Sequence, residues 1–395
     1  MLKEKLQSIF DHALICDACL GRQFAKLLTQ TTNEERGKAL RMSYALWLDS
    51  NEDSKKEKPS EHILTQNMSN YTFKNNKHLS CPTNNKAKET PKCLICNGLF
   101  EKESMEKLIE QVKYYINGID FDTFSMGAHL SDELFKQEES LWEETGIDYC
   151  EAIKTHLNRN IGTLLRRELN KQVNLKDPDL SILVDFSTKQ IKTKTKALYV
   201  KGYCSKFRKM ALLKQVCYLC YGLGCRKCDY IGKPEKSVHE FIERHLLVKT
   251  LGIESKFHTI GFESADFLFS GKRPFVIEIK NPKKRVFDLK KIEEKINKNK
   301  ELSVCKLEFT TREDMIKLKS RGYERVYDIK ITLKDKKNID KIKSILEKNK
   351  IHVLKEKSSA NKLELKTTGY SRQLNDGELI DDIMVNITEF KPKRA

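Results

Sequence analysis

The sequence lacks any apolar run long enough to cross a bilayer, which excludes a helical membrane span. It also lacks a recognisable export signal: the opening residues MLKEKLQSIF are expected to form an amphipathic helix. Acids are in deficit, with 56 Asp and Glu against 74 Lys and Arg, a formal net charge of +18. That imbalance points to a polyanionic partner, nucleic acid first, although a lysine-rich solvated surface gives the same count. Internal repeats are absent. Cysteine, by contrast, is plentiful. Twelve cysteines without an export signal indicate a reducing compartment, here expected to be the cytoplasm, where paired cysteines serve as metal ligands more often than as disulfides. A length of 395 residues allows two or three domains and a sizeable core.

The hydrophobic pattern divides the chain. MLKEKLQSIFDHAL and ERGKALRMSYALWLD are apolar at helical spacing. Residues 50–91 are polar, rich in Asn and Lys and poor in core residues, as expected of a long mobile insertion. A helix is expected at 101–117, with Met105, Leu108, Ile109, Val112 and Tyr115 on one face, and another at 159–172. Strands are expected at 180–186 and 191–203, the second alternating Lys with Thr. The stretch SVHEFIERHLLVKTL reads as a helix, and from residue 256 strands dominate, interrupted by helices at 311–319, behind a Thr311/Asp314 capping box, and at 337–349. Runs of strands with few helices indicate an α+β fold with a mixed or antiparallel sheet and helices on one side.

The cysteines fall into two sets. Cys16 and Cys19, then Cys93 and Cys96, form two C-x-x-C pairs; each pair can turn both thiolates toward one ion, and two pairs complete a tetrahedron. The long gap between them is tolerable, because the cost of closing a loop grows slowly with its length. Four protein ligands would make this a closed, structural zinc site. Cys217, Cys220, Cys225 and Cys228 form a denser set, with Gly222 and Gly224 at the turn, and read as a second metal site or a turn-rich surface loop. Cys81, Cys150, Cys204 and Cys305 read as small buried side chains.

The segment SADFLFSGKRPFVIEIKNPKKR (264–285) carries the chemistry of interest. Alternation of Phe267 and Phe269, then Phe275, Ile277 and Ile279, suits a half-buried hairpin with Lys272 and Arg273 near its turn and Asp266, Glu278 and Lys280 toward solvent. An acid followed by Glu-x-Lys also resembles a nuclease site, in which two carboxylates hold Mg²⁺ and a lysine steadies the attacking hydroxide. Base chemistry on RNA is the other reading. It needs one carboxylate nucleophile, a basic residue that organises it, and aromatic rings against a flipped base. Tyr327 and Tyr370 stand in contexts suited to such rings. Residues 272–300 hold eleven Lys or Arg against four acids, a distribution suited to phosphates or to an exposed charged helix.

Several motifs in order resemble one family. LICDACLGRQFAKL and ERGKALR (within 14–41), CLICNGLF, LVDFSTKQIKTKTKALYVKGYCSKFRK, the C-x-x-C-x-G-x-G-C-x-x-C block and KFHTIGFESADFLFSGKRPFVIEIKNPKKR are similar to the THUMP-containing tRNA pseudouridine synthases of archaea and eukaryotes, which act on positions 54 and 55 of the TΨC arm. The resemblance covers most of the chain outside 50–91. It implies an N-terminal zinc-containing accessory domain with a THUMP RNA-binding module, then a mixed-sheet pseudouridine synthase domain. It further implies tRNA as partner, no organic cofactor, no membrane and no obligate protein partner. Domains are accordingly expected at 1–205, 206–235 (the cysteine knuckle) and 236–395. Tyr327 matches the ring of a Lys-x-Tyr strand, with Arg325 at the lysine position, and Gly369-Tyr370-Ser371-Arg372 is similar to a substrate-binding Gly-x-Tyr-Ile-Lys/Arg motif. The family pattern Gly-Arg-Glu-Asp-x-Asp reads here Gly261-Phe262-Glu263-Ser264-Ala265-Asp266. Aligned without a gap, the organising Arg falls on Phe262 and the nucleophile on Ser264, so Asp266 is the acid left to act as nucleophile. A catalytically impaired tRNA-binding member of the family is the alternative.

Overall fold

The computed structural model describes residues 2–50, 67, 92–217, 219–233, 237–261, 263–371, 374 and 377–393. The expected insertion at 50–91 therefore lies outside the described residues apart from Ser50 and Asn67, and so does Cys81. Two compact units are present: Met1–Asn117 with Phe121–Lys194, and Gly118–Asp120 with Thr195–Ala395.

The first unit opens with α1 (Leu2–His12), α2 (Asp17–Arg22), α3 (Asn33–Ser50) and α4 (Lys102–Ile116). It continues through β1 (Thr123–His129), α5 (Asp132–Thr145), α6 (Ile153–Leu169), β2 (Gln172–Val173), β3 (Leu180–Asp185) and β4 (Gln190–Thr195). The sheet order is β2-β1-β3-β4, with β1 parallel to both neighbours. α4 buries Met105, Ile109, Val112 and Ile116, a helical stripe; Tyr115, expected on that face, is a residue's rotation away and exposed. Asn67 stands out in the stretch 50–91, expected to be poor in core residues. Its side chain is fully buried. It accepts from the Ile15 N–H at 3.0 Å and donates to the carbonyls of Ala13 at 3.0 Å and Phe10 at 3.3 Å. Buried Arg41 donates to the Asn67 carbonyl at 2.9 Å and to Ile15 O at 2.7 Å, and its Nε meets Asp17 at 2.7 Å. One polar residue thus satisfies backbone groups that an apolar one would strand.

The second unit contains β5 (Leu198–Lys206), α7 (Val238–Thr250), β6 (Glu254–Thr259), β7 (Leu268–Lys280), α8 (Leu289–Asn297), β8 (Leu302–Thr310), α9 (Arg312–Ser320), β9 (Tyr323–Leu333), α10 (Asn338–Lys348), β10 (Val353–Ser359), β11 (Lys362–Thr367) and β12 (Ile380–Pro392). The sheet runs β10-β11-β9-β12-β7-β5-β8, and β6 also pairs with β7. Among the described pairings of this sheet β12–β7 is parallel and the others antiparallel, so this is the mixed sheet expected. Buried residues of α7, α8 and α10 join alternate residues of β5, β7, β8, β9, β11 and β12 in one core. The helix signals are local and clear: Ser237 and Glu240 form a capping box on α7, Asp288 caps α8, and Thr311 caps α9.

Two expectations fail here. The alternating run 191–203 breaks at Lys196 and Ala197, and its halves, β4 and β5, join different sheets; β5, placed by sequence with the accessory domain, is an interior strand of the second sheet. The expected hairpin at 264–285 is instead one thirteen-residue strand, β7. Gly271 makes no turn. It lets the backbone of Thr388 on β12 approach so closely that a Cβ would stand 2.6 Å from the Thr388 oxygen.

Replacing Asn67 by Ala should lower the unfolding free energy by about 2 kcal/mol or more, because three buried backbone groups lose their partner. Urea unfolding followed by circular dichroism tests this; an unchanged midpoint would refute the assignment.

Candidate active site and metal centres

The site grows from a split in the second sheet. One edge of β7 pairs with β12 at Leu268 and Phe269 and with β6 from Phe275 onward. β6 ends at Thr259, and Glu263 to Phe267 lead into β7 at Leu268. Arg273, fully buried on β7, ties this connection down. Its Nε donates to Thr259 Oγ1 at 3.1 Å and its Nη2 to Gly261 O at 2.8 Å and to Ile260 O, while Nη1 donates to Glu263. Its guanidinium carbon lies 5.6 Å and 5.4 Å from the ring centres of Phe269 and Phe390, within cation–π range.

Glu263 is thereby held between two arginines. Arg325 Nε on β9 lies 2.7 Å from its second oxygen, an ion pair without hydrogen-bond alignment. Gly261, at φ 55°, carries Arg325 Nη2 against its α-carbon: a Cβ there would meet that nitrogen at 1.9 Å. Two residues along β9 from Arg325, Tyr327 is half-buried, and burial raises its phenol above the ordinary value. Its ring stacks with Tyr370 at 6.0 Å, and Tyr370 meets Phe267 edge-on at 4.9 Å. The two tyrosines picked from sequence are therefore brought together.

Asp266 directly precedes Phe267 of this cluster in the chain and lies outside the arginine clasp. It is exposed, accepts from the Ser264 hydroxyl at 3.2 Å, and lines a hollow with Lys209, Ile380, Asp381, Asp382 and Ile383. The turn that bears it is pinned from behind. Lys206, 2% exposed at the end of β5, donates from Nζ to Ala265 O at 2.9 Å and Met210 O at 2.8 Å. Burial pushes this ammonium down to about 8, with the Arg273 charge acting the same way and Glu263 and Asp266 opposing.

The nuclease arrangement is not formed. Asp266 precedes the start of β7, whereas Glu278 and Lys280 lie near its far end, about 33 Å along a strand from Leu268. Glu278 pairs with His258 at 2.9 Å, and Lys280 pairs with Glu254. Arg372 and Phe262 lie outside the described residues. Glu263, Arg273 and Lys206 were missed as site residues by sequence reading. Glu263 stood within the quoted family pattern, but Arg273 was assigned to a turn that does not exist.

Both cysteine quartets assemble. Within each, the four sulfurs lie within 4.8 Å of one another. Cys16 and Cys96 are 3.7 Å apart; Cys217–Cys225 is 3.8 Å, and Cys220–Cys228 and Cys225–Cys228 are 3.7 Å. Tetrahedral thiolates on an ion with ~2.3 Å bonds stand about 3.8 Å apart, so both sets fit such an ion. In the first set burial pushes the Cys19 thiol well above the usual range, and a cation is what would keep buried sulfurs ionised. Of the other cysteines, Cys204 is buried as expected, while Cys150 and Cys305 are half-exposed.

Residues 108–185 match the family described as Pus10 THUMP domain, archaeal, and residues 199–359 match Pus10, C-terminal. The chain is thus a THUMP-bearing protein with a second, sheet-built domain of Pus10 type. It is 34% identical to the tRNA pseudouridine synthase Pus10 of Methanocaldococcus jannaschii, over 85% of this chain and 73% of that protein. The namesake of Methanopyrus kandleri is 31% identical over 77% of this chain and 68% of its own, and that of Pyrococcus furiosus 26% over 97% and 86%. The chain belongs to the Pus10 family.

Two outcomes follow from the clasp and its support. Glu263→Gln, which leaves two arginines facing a neutral amide, should cost about 3 kcal/mol in urea unfolding; a loss below about 1 kcal/mol would show the pair to be dispensable. Lys206 binds its proton less tightly folded, at about 8, than at its ordinary 10.5. The unfolded chain therefore holds more protons between those values, and stability from this group rises with pH across that window. Relative to Lys206→Met, the parent should gain about 3 kcal/mol from pH 8 to 10.5; parallel pH profiles would sink this.

Proposed function

We propose that this chain is a tRNA pseudouridine synthase acting on uridine 54, uridine 55 or both in the TΨC loop, by base flipping and with Asp266 as nucleophile. The reaction breaks the N1–C1′ bond, turns the uracil, and forms a C5–C1′ bond, with the C5 proton lost and N1 regaining one. Atoms balance without an organic cofactor. The observation that supports the reading is the ring cluster Tyr327, Tyr370 and Phe267, the last of which directly follows the exposed Asp266 in the chain and lines the same hollow. It supplies aromatic surface for an extruded base next to an accessible carboxylate. Glu263, hydrogen-bonded to Arg273 and ion-paired with Arg325, orders the segment from which Asp266 projects. Tyr327, Tyr370 and Arg372 are assigned to substrate binding.

Both cysteine quartets are assigned structural zinc, on donor type and sulfur spacing. The tRNA TΨC arm is the partner, the surplus of eighteen positive charges favouring it, without an obligate protein partner. No helix among the described residues is long and apolar enough to cross a membrane. The cytoplasm is the proposed site of action.

One observation favours the alternative of an impaired, tRNA-holding family member: a serine, Ser264, occupies the family's nucleophile position, and a hydroxyl needs a base to attack. A single experiment separates the two. Unmodified tRNA transcript is incubated with the protein and pseudouridine is mapped by carbodiimide treatment and primer extension. New stops at 54 or 55, lost by a factor on the order of a thousand or more in rate with Asp266→Ala, are expected. Binding without stops, with Ser264→Asp restoring them, would establish the alternative.

A further inference from the structure

Two tyrosines on the second cysteine knuckle hold a backbone conformation that side chains avoid. Tyr221, directly after Cys220, has φ 48°, and Tyr230, two residues after Cys228, has φ 60°. A bulky residue at positive φ is strained where glycine is not. Such strain persists only where the surroundings over-determine it, and it clusters at functional positions. The surroundings here are rigid. Four sulfurs converge, and the Gly224 and Cys225 N–H groups donate to Cys220 and Cys228 sulfurs, both at 3.2 Å.

Neither ring serves a core. Tyr221 is 82% exposed and Tyr230 71%. Leu219, Leu223 and Ile231 on the same knuckle are exposed as well, so the tip presents aromatic and apolar surface to its surroundings. Arg226 and Lys227 are exposed on the short helical turn between Cys225 and Cys228. Over residues 214–236 five cations (Lys214, Arg226, Lys227, Lys233, Lys236) stand against two acids (Asp229, Glu235), although Lys214 and Lys233 pair with Glu243 and Glu240, so Arg226 and Lys227 are the cations the tip itself offers. Rigid rings flanked by cations form a stacking platform for unpaired bases, because every base offers a π-face and every nucleotide a phosphate. A protein-docking surface is ordinarily depleted in lysine, which makes RNA the better fit.

We propose that the knuckle is an RNA-contacting finger: Tyr221 and Tyr230 stack on unpaired bases of the substrate while Arg226 and Lys227 lie against its phosphates. The inference rests on the tRNA reading above. Replacing both tyrosines by Gly relieves the backbone strain, so fold and metal content should be retained, as read by melting and elemental analysis. Tyr221→Asn with Tyr230→Asn, which also tolerates positive φ, provides a second variant. Dissociation constants are measured at one fixed salt concentration for an unmodified tRNA transcript and for a fully paired RNA duplex. Both variants should bind the tRNA at least about tenfold more weakly while duplex binding stays unchanged, and the double Phe variant should bind tRNA like the parent. Unchanged tRNA affinity would overturn the finger and leave the surface to a protein partner; equal weakening toward the duplex would overturn base stacking. A parent chain that binds no tRNA would overturn the tRNA reading as well.

Discussion

Arg273 is a guanidinium with no exposed surface, and a buried charge costs several kcal/mol unless its donors are matched. Here they are matched by a hydroxyl, two carbonyls and a carboxylate, all from residues 259–263. The charge therefore cannot be accommodated unless that segment folds back over β7. The segment in turn cannot stay there without the charge, because its carbonyls and Glu263 would be left without donors. Arg325 closes the arrangement from β9, beneath a residue that must be glycine. The position of everything downstream, from Ser264 to Phe267, follows from this mutual dependence.

The two cysteine quartets act by the same logic at different ranges. The first ties residues 16 and 19 to 93 and 96, across a segment whose closure an apolar core would have to hold alone. The second lies within twelve residues, too few for a core of any kind, so converging sulfurs and local backbone hydrogen bonds fix its turns. Asn67 plays a polar counterpart in the first unit: its amide completes the backbone of 10–15 while its carbonyl receives Arg41.

Much of this was legible in the sequence, where the signal is local. Cysteine spacing indicated both quartets, a capping box marked the start of α9, and alternation marked most strands of the second sheet. What failed was whatever depends on partners far along the chain. A period of two looks the same whether a run continues or changes sheets, so the break at Lys196 was invisible. Gly271 and the lysine and arginine after it carry turn composition, yet the glycine answers the close approach of β12, and the arginine is buried. The two tyrosines could be picked from motifs, but their stacking could not. Asn67 sits in polar sequence and carries no apolar signal at all.

The two carboxylates near the ring cluster divide the work on electrostatic grounds. Glu263 is desolvated and its oxygens are occupied by two guanidinium groups, which makes it a rigid support and a poor nucleophile. Asp266 has free capacity: Ser264 engages one oxygen, and the exposed side chain lines the hollow. Water solvates it, however, and a hydrated carboxylate attacks slowly. On the proposed reading the missing element is therefore RNA itself, whose docking would displace water from the hollow and set the base against Tyr327 and Tyr370. Ser264 fits that picture as a donor that orients Asp266, since the nearest base for its own hydroxyl is the carboxylate it already serves. The positive charge of the chain then acts before the chemistry, because binding the polyanion is what converts an exposed acid into an enclosed one.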